Sequence, residues 1–433
     1  MKKLVLIFMI ALVALCATPL FAGGEAEEAV SDEVVITWRT RPGNQEESDL
    51  YKAISDQISA ELDGITLVYE PGSSATSSYQ DVLKTELASG VAPDLFWIPG
   101  SDIAEFAKRD LLLDMRAIAD KTDHKDSDFY PGPMYHLTFD PNSMKTGEKL
   151  WGLPRDVSTL ALYLNLDLIA EAGAPDPRVL AEQGQWDWDA FYGVMKAISA
   201  LGDDVYGYGQ SSWWGPYMTW MNSAGGGLFN EDRTGTDMQS EGSLKGLAFQ
   251  QKFYKENLAV PYGEDAEPPF KAGKLGMYQN GRWVTPGMRT IADFEWDVVE
   301  LPTGPAGNQG NWLFWGAYVA NKDTKNPEAV FELLQALTSA KVQAQVAAAG
   351  ANIPSRTSKD ALDAFLTFTP PENNQAFLNG LADSPASEGP MWVGNWSEYD
   401  AALGAKISAV FNNEMSIEEF ANGIESELNK FFK

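Results

Sequence analysis

Cysteine and histidine are almost missing from this chain: among 433 residues there are one cysteine, Cys16, and two histidines, His124 and His136. Cys16 lies inside an apolar N-terminal run, so a chain cleaved beyond it has no disulfide framework and no thiolate chemistry. Neither histidine is followed by a second ligand at metal-like spacing, which argues against a zinc site; both read as ordinary surface or core residues, and no cofactor is indicated. Basic residues are scarce too, 32 Lys+Arg against 61 Asp+Glu, for a formal net charge of −29. Phosphate binding needs a concentrated basic face, so nucleic acid and anionic lipid are poor partners.

The apolar run from Leu4 to Leu15 is too short to span a bilayer. With Lys2 and Lys3 before it and the small Ala22 closing Leu20-Phe21-Ala22 after it, residues 1–22 read as a cleaved export signal. Cys16 could instead carry the lipid of a lipoprotein held at the outer face of the cytoplasmic membrane. Residues 23–33, which begin GGEAEEAVSD, read as a flexible acidic linker.

The chain beyond the linker is long enough for two domains, and 44% apolar content can supply a core to each. Val34 to Trp38 reads as a strand, and Leu50, Ile54, Ile58 and Leu62 recur every four residues, as one buried helix face does. A strand at Ile65 to Tyr69, a Gly/Ser-rich loop, a helix with Val82, Leu83 and Leu87 on one side, and a strand at Asp94 to Ile98 complete a βαβαβ unit with a parallel sheet. Ligands of such sheets sit beyond the carboxyl ends of the strands, which puts Arg41, Ser73-Ser74, Pro99 and Asp102 at the functional edge. Pro131-Gly132-Pro133 reads as the passage into a second lobe, resuming at Trp151 and a strand from Thr159 to Asn165. That lobe looks helix-rich, with Trp186, Phe191, Met195 and Ile198, then Leu244, Leu247 and Phe253, at helical spacing. Strands are expected again at Asp297 to Leu301 and Phe314 to Ala320, then helices from Pro327 through Ala348. Leu403, Ile407, Phe411, Phe420, Ile424 and Leu428 are expected core positions of a helical tail. There is no internal repeat.

Five segments in order resemble the extracellular solute-binding proteins of carbohydrate ABC importers, the group that includes maltose-binding protein. ELASGVAPDLFW (Glu86 to Trp97) is similar to that group's turn into its third strand. Trp151 to Asp156 with Thr159 to Asn165 resembles its crossing strand, with Leu164 where Tyr is frequent. Ala172 to Pro175 with Trp186 to Phe191, Phe270 to Met277 with Gly281-Arg282-Trp283, and Leu301-Pro302 with Gly304-Pro305 supply the rest. The resemblance implies a two-lobed periplasmic-binding-protein-like α/β fold of type II, with the ligand cleft between the lobes. Lobe 1 would comprise 34–153 plus 298–350, lobe 2 would comprise 156–296 plus 352–433, and hinge crossings would fall near 154, 297 and 351. It also implies a monomer that docks on ABC transporter permease subunits.

A sugar presents a face of C–H groups and a rim of hydroxyls, so its site needs aromatic planes and planar polar groups. Fourteen tryptophans are available. Those in glycine-rich or polar surroundings, Trp213, Trp214, Trp283, Trp312, Trp315 and Trp396, are stacking candidates, with Trp283 foremost, and Trp97 is a cleft-floor candidate. Arg41, Asp102, Asp156, Asn280 and Arg282 are polar candidates, because each falls at a strand end or a lobe crossing and a carboxylate can accept two hydroxyls at once. Arg356, past the third crossing, could reach the site or pair locally. A glycoside hydrolase would need a matched acid and base, which 61 acidic residues cannot identify, and no Gly-x-Ser-x-Gly elbow or phosphate loop accompanies them. A polyamine, suited to the acidic charge, or another non-sugar solute on the same scaffold stays open beside the sugar.

Overall fold

In the computed structural model, residues 33–42, 45–72, 76–350, 352–382 and 395–432 are described. The leader with Cys16, the linker through Asp32, Ser73-Ser74, Ala351 and Trp392 to Gly394 lie outside the described residues. The strands are β1 (Val34–Thr40), β2 (Ile65–Pro71), β3 (Leu95–Pro99), β4 (Gly152–Ser158), β5 (Leu160–Asn165), β6 (Tyr206–Gln210), β7 (Leu275–Gly281), β8 (Trp296–Val299), β9 (Phe314–Ala320) and β10 (Ile353–Pro354). They form two sheets, ordered β10-β4-β9-β3-β1-β2 and β6-β7-β5-β8.

The first sheet begins as the expected unit: β1 lies between β2 and β3, parallel to both. The helix Gln45–Glu61 turns Tyr51, Ile54 and Ile58 inward, and its Ser55 hydroxyl donates to the Leu67 carbonyl at 2.7 Å, joining helix to sheet. In the helix Thr76–Ser89 the expected stripe is narrower. Leu83 and Leu87 are buried, but Val82 is 50% exposed, because adjacent positions of a helix diverge by about 100°. The sheet is completed by β9, antiparallel to both β3 and β4.

In the second sheet, β5 has Leu160, Leu162 and Leu164 on one face, in a core with Phe191, Met195 and Ile198 of the helix Trp188–Ser199. Ala161 and Tyr163 point to the opposite face, where Tyr163 meets Phe377 of the helix Gln375–Ala382. Successive strand residues alternate sides, and helices on both sides bury every residue of β5. Asp187 and Ser240 cap the helices Trp188–Ser199 and Glu241–Lys255, accepting from the N–H groups of Ala190 and Ser243. The tail positions Leu403, Ile407, Phe411, Phe420, Ile424 and Leu428 are all buried.

Strand pairing moves the expected boundaries. Pro131-Gly132-Pro133 does not lead out of the first lobe: Pro131 starts the helix Pro131–Leu137, where a missing N–H costs nothing, and Met134 and Leu137 join the first core. The chain changes sheet at Thr159, since Ser158 pairs with Phe314 in one sheet and Leu160 with Gly281 in the other. Asp156 therefore belongs to the first sheet. Val298 pairs with Tyr163 and so stays with the second, which puts the return between β8 and β9. The third transfer falls after β10, whose Pro354 pairs with Asp156. The first two crossings are tied side by side. The Asn311 amide accepts from the Leu160 N–H at 3.1 Å and donates to the Leu160 carbonyl at 2.7 Å, as a strand neighbour would.

Candidate functional site

The parallel strands β1 and β3 end at the same edge of the first sheet, and antiparallel β9 begins there, with Pro99 opposite Gly316. Chain direction alone thus gathers Arg41, Trp97, Asp102 and Trp315 from three segments. Gly316 admits the Trp97 indole and Gly100 admits the Trp315 ring, because a Cβ at either position would collide with that ring. The Arg41 guanidinium lies 4.7 Å and that of Arg155 5.1 Å from the Trp97 ring centre, both within cation–π range. Burial, and then the neighbouring Arg155, lower the Arg41 pKa below its ordinary value.

Asp156 sits beside them, its carboxylate 2.5 Å from Arg155, which also donates to Thr40 and Tyr51 at 3.3 Å each. Burial raises the Asp156 pKa, and the Arg155 charge opposes that shift. Asp102 accepts from the Gln80 amide, and burial pushes its carboxyl up to about 6. His136 packs its ring 5.5 Å from Trp315. Burial, and then Arg233 of the second lobe, hold its pKa near 3, so this imidazole is neutral at ordinary pH.

The second group of candidates is an aromatic wall. Trp213 stands 5.5 Å from Trp214, 6.3 Å from Trp283 and 5.2 Å from Phe314, and Trp283 is 6.0 Å from Phe314. Phe314 opens β9 in the first sheet, whereas Trp213 and Trp283 follow β6 and β7 of the second, so the wall spans the junction of the lobes. Trp283 is 40% exposed, the largest side chain on the wall to be so open. Trp312 and Trp396 stand behind it, with their rings 5.3 and 5.7 Å from Trp214 and nearly perpendicular to it. Because strand side chains alternate, Phe314 faces this wall while Trp315 faces Gly100 and His136.

Two expected ligand contacts are drawn elsewhere. Arg282 is fully buried in the second lobe, its charge between Phe365 and Phe377 at 4.8 and 5.5 Å and its Nη1 on Asn374 at 2.5 Å. The turn after β7 sends it under the sheet and leaves Trp283, the next residue, on the open side. Asn280 is buried and uses its amide within its own lobe, on the Tyr278 hydroxyl and on Ser211 at 3.5 Å. Arg356 pairs locally, with Asp128 at 3.1 Å and the Thr338 carbonyl at 2.6 Å. Sequence reasoning passed over Arg155, Gln80, His136 and Phe314. Only Arg155 and Phe314 carried a signal, one beside Asp156 at the crossing and the other inside the aromatic run 312–315.

Residues 53–372, more than half of the chain, match the bacterial extracellular solute-binding protein family. A galactooligosaccharide-binding protein of Bacillus subtilis is 28% identical over 270 residues, covering 60% of this chain and 59% of that one. A putative binding protein of Brucella abortus is 25% identical over 299 residues, covering 66% and 68%. The ABC substrate-binding protein of Listeria monocytogenes solved with cycloalternan superposes with a TM-score of 0.81 at 20% identity, covering 92% of this chain and 98% of that one. Two sheets joined by crossings of the chain, candidate residues gathered at their junction and a family match across both lobes lead to one assignment: this chain belongs to the bacterial extracellular solute-binding proteins.

Proposed function

We propose that the protein captures a sugar or oligosaccharide in the cleft between its lobes, outside the cytoplasmic membrane, and presents it to the permease subunits of an ABC importer. The observation that carries this reading is the wall of Trp213, Trp283 and Phe314, built from both lobes and open to solvent at Trp283. Aromatic planes of this kind cover the C–H face of a pyranose. At the sheet edge where β1 and β3 end and β9 begins, Asp102, Asp156, Arg41 and Arg155 offer the charge-assisted acceptors and donors that hydroxyls need. The two guanidinium groups at Trp97 disfavour a polycation, so the sugar is favoured over a polyamine. The names of the relatives point the same way, one for galactooligosaccharide and one solved with cycloalternan.

In this reading the protein works as a monomer, exported by the segment 1–22, and it releases its ligand unaltered. The lobes close about the tied crossings at Thr159 and Asn311, a hinge motion. The test is a thermal-shift series on the chain from Gly23 onward against monosaccharides, galactooligosaccharides, maltooligosaccharides and polyamines. A ligand at 100 times its Kd stabilises the native state by about 2.7 kcal/mol. A shift with sugars supports the proposal, whereas a shift with polyamines alone would overturn the ligand class.

A further inference from the structure

Beneath the aromatic wall, in the interior of the second lobe, lies a polar network with Gln279 of β7 at its centre. Gln279 is fully buried, and its side chain points to the same face as Met277, toward the helix Trp214–Asn222. Its Oε1 accepts from the Trp220 indole N–H at 3.0 Å and from the Tyr208 hydroxyl, and its Nε2 donates to the Thr219 hydroxyl at 2.9 Å and the Pro216 carbonyl at 3.3 Å. The amide has one orientation open to it, because an indole N–H only donates and a carbonyl only accepts. Both ends of one glutamine are therefore committed to one helix, at residues 216, 219 and 220.

That helix starts where the wall begins: Trp213 precedes it and Trp214 is its first residue. In the other direction along the chain, β7 ends at Gly281, where a Cβ would collide with the Trp283 ring. The strand that carries Gln279 thus seats Trp283 through its own end and, through the Gln279 amide, anchors the helix bearing Trp213 and Trp214. An amide held at four points fixes both the height and the rotation of the helix, where apolar packing alone would fix neither as tightly.

We infer that Gln279 is a positioning residue for ligand binding, setting the spacing between Trp213 and Trp283 without touching the ligand. This inference rests on the proposed role of the wall, and its test has an arm that needs no ligand. Gln279→Met keeps nearly the same volume and removes all four hydrogen bonds. Thr219→Val removes the helix side of one of them. Tyr254→Phe serves as the control, because it breaks the 2.9 Å bond from Gln210 in the same buried network, and the bonds of Gln210 run to Tyr208, Gln250 and Tyr254 rather than to the helix that carries the wall.

Hydroxyl-radical footprinting, read by mass spectrometry, reports solvent access at each tryptophan, and calorimetry with galactooligosaccharide reports affinity. For Gln279→Met we expect oxidation at Trp213 or Trp214 to change at least threefold and affinity to fall at least tenfold; Thr219→Val should move both in the same direction by less, and Tyr254→Phe should leave both within twofold. If Gln279→Met does not fold, Thr219→Val decides. Footprints in Gln279→Met or Thr219→Val that match those of Tyr254→Phe would overturn the positioning role. A changed footprint with unchanged galactooligosaccharide affinity would also overturn it, while a wild-type protein that binds no sugar would remove the proposed function and leave the footprint to judge the anchoring.

Discussion

Replacing Asp102 with asparagine separates a desolvated carboxyl at the sheet edge just after β3 from an ordinary surface acid. Burial raises the Asp102 pKa from 3.8 to about 6, against the opposing influence of Gln80 and Lys84. Below pH 3.8 the native and unfolded chains both hold this proton, and the group has no effect on stability. Between pH 3.8 and about 6 the native protein still holds it while the unfolded chain has released it, so stability falls as pH rises through this window and levels off above it. About two pH units at roughly 1.36 kcal/mol each give about 3 kcal/mol. Asparagine has the same shape, can still accept from Gln80 and does not titrate in this range. Urea titrations of wild type and Asp102→Asn from about pH 3.5 to 7.5 should therefore show a stability difference that grows in favour of the variant by up to about 3 kcal/mol between about pH 4 and 6. A difference that stays constant with pH would refute the reasoning, since it would mean that Asp102 titrates as a solvated carboxyl and that the edge of β3 is open to water.

Trp283→Ala should cost less than about 1 kcal/mol of stability, because the side chain is 40% exposed. Affinity for whichever sugar raises the melting temperature should nevertheless fall tenfold or more by calorimetry, about 1.4 kcal/mol, and unchanged affinity would take Trp283 out of the proposed site. Arg282→Ala should behave in the opposite way, costing about 3 kcal/mol through the cavity left between Phe365 and Phe377, with affinity within about threefold of wild type, a ratio worth roughly 0.6 kcal/mol. Lost affinity with intact stability would return Arg282 to the cleft. Asn311→Ala leaves the buried N–H and carbonyl of Leu160 without their side-chain partner, at roughly 1–3 kcal/mol for each group. A urea titration showing less than about 0.5 kcal/mol in total would count against the tie between the crossings, given what an unsatisfied buried group costs.

The amino-acid sequence by itself determined what depends on local order. The βαβαβ start was legible because Ile54 and Ile58 repeat at helical spacing between short apolar runs, and chain direction then brought Arg41, Trp97 and Asp102 to one edge. The tail helices were legible for the same reason, Leu403, Ile407 and Phe411 and then Phe420, Ile424 and Leu428 recurring every four residues within each helix. β6 and β7 were not legible. Their glycines sit against Met195, Ala266 and Ile198 where a Cβ has no room, and buried on both faces they show no alternation to mark them as strands. Composition announced an aromatic site, but not which aromatics would build it. Arg282 and Trp283 are neighbours in the chain, and only the turn after β7 decides that the charge goes under the sheet and the indole stays open to solvent. Residues 213, 283 and 314 meet because the chain passes between two sheets that lie side by side, and such a meeting depends on long-range packing that no local pattern records.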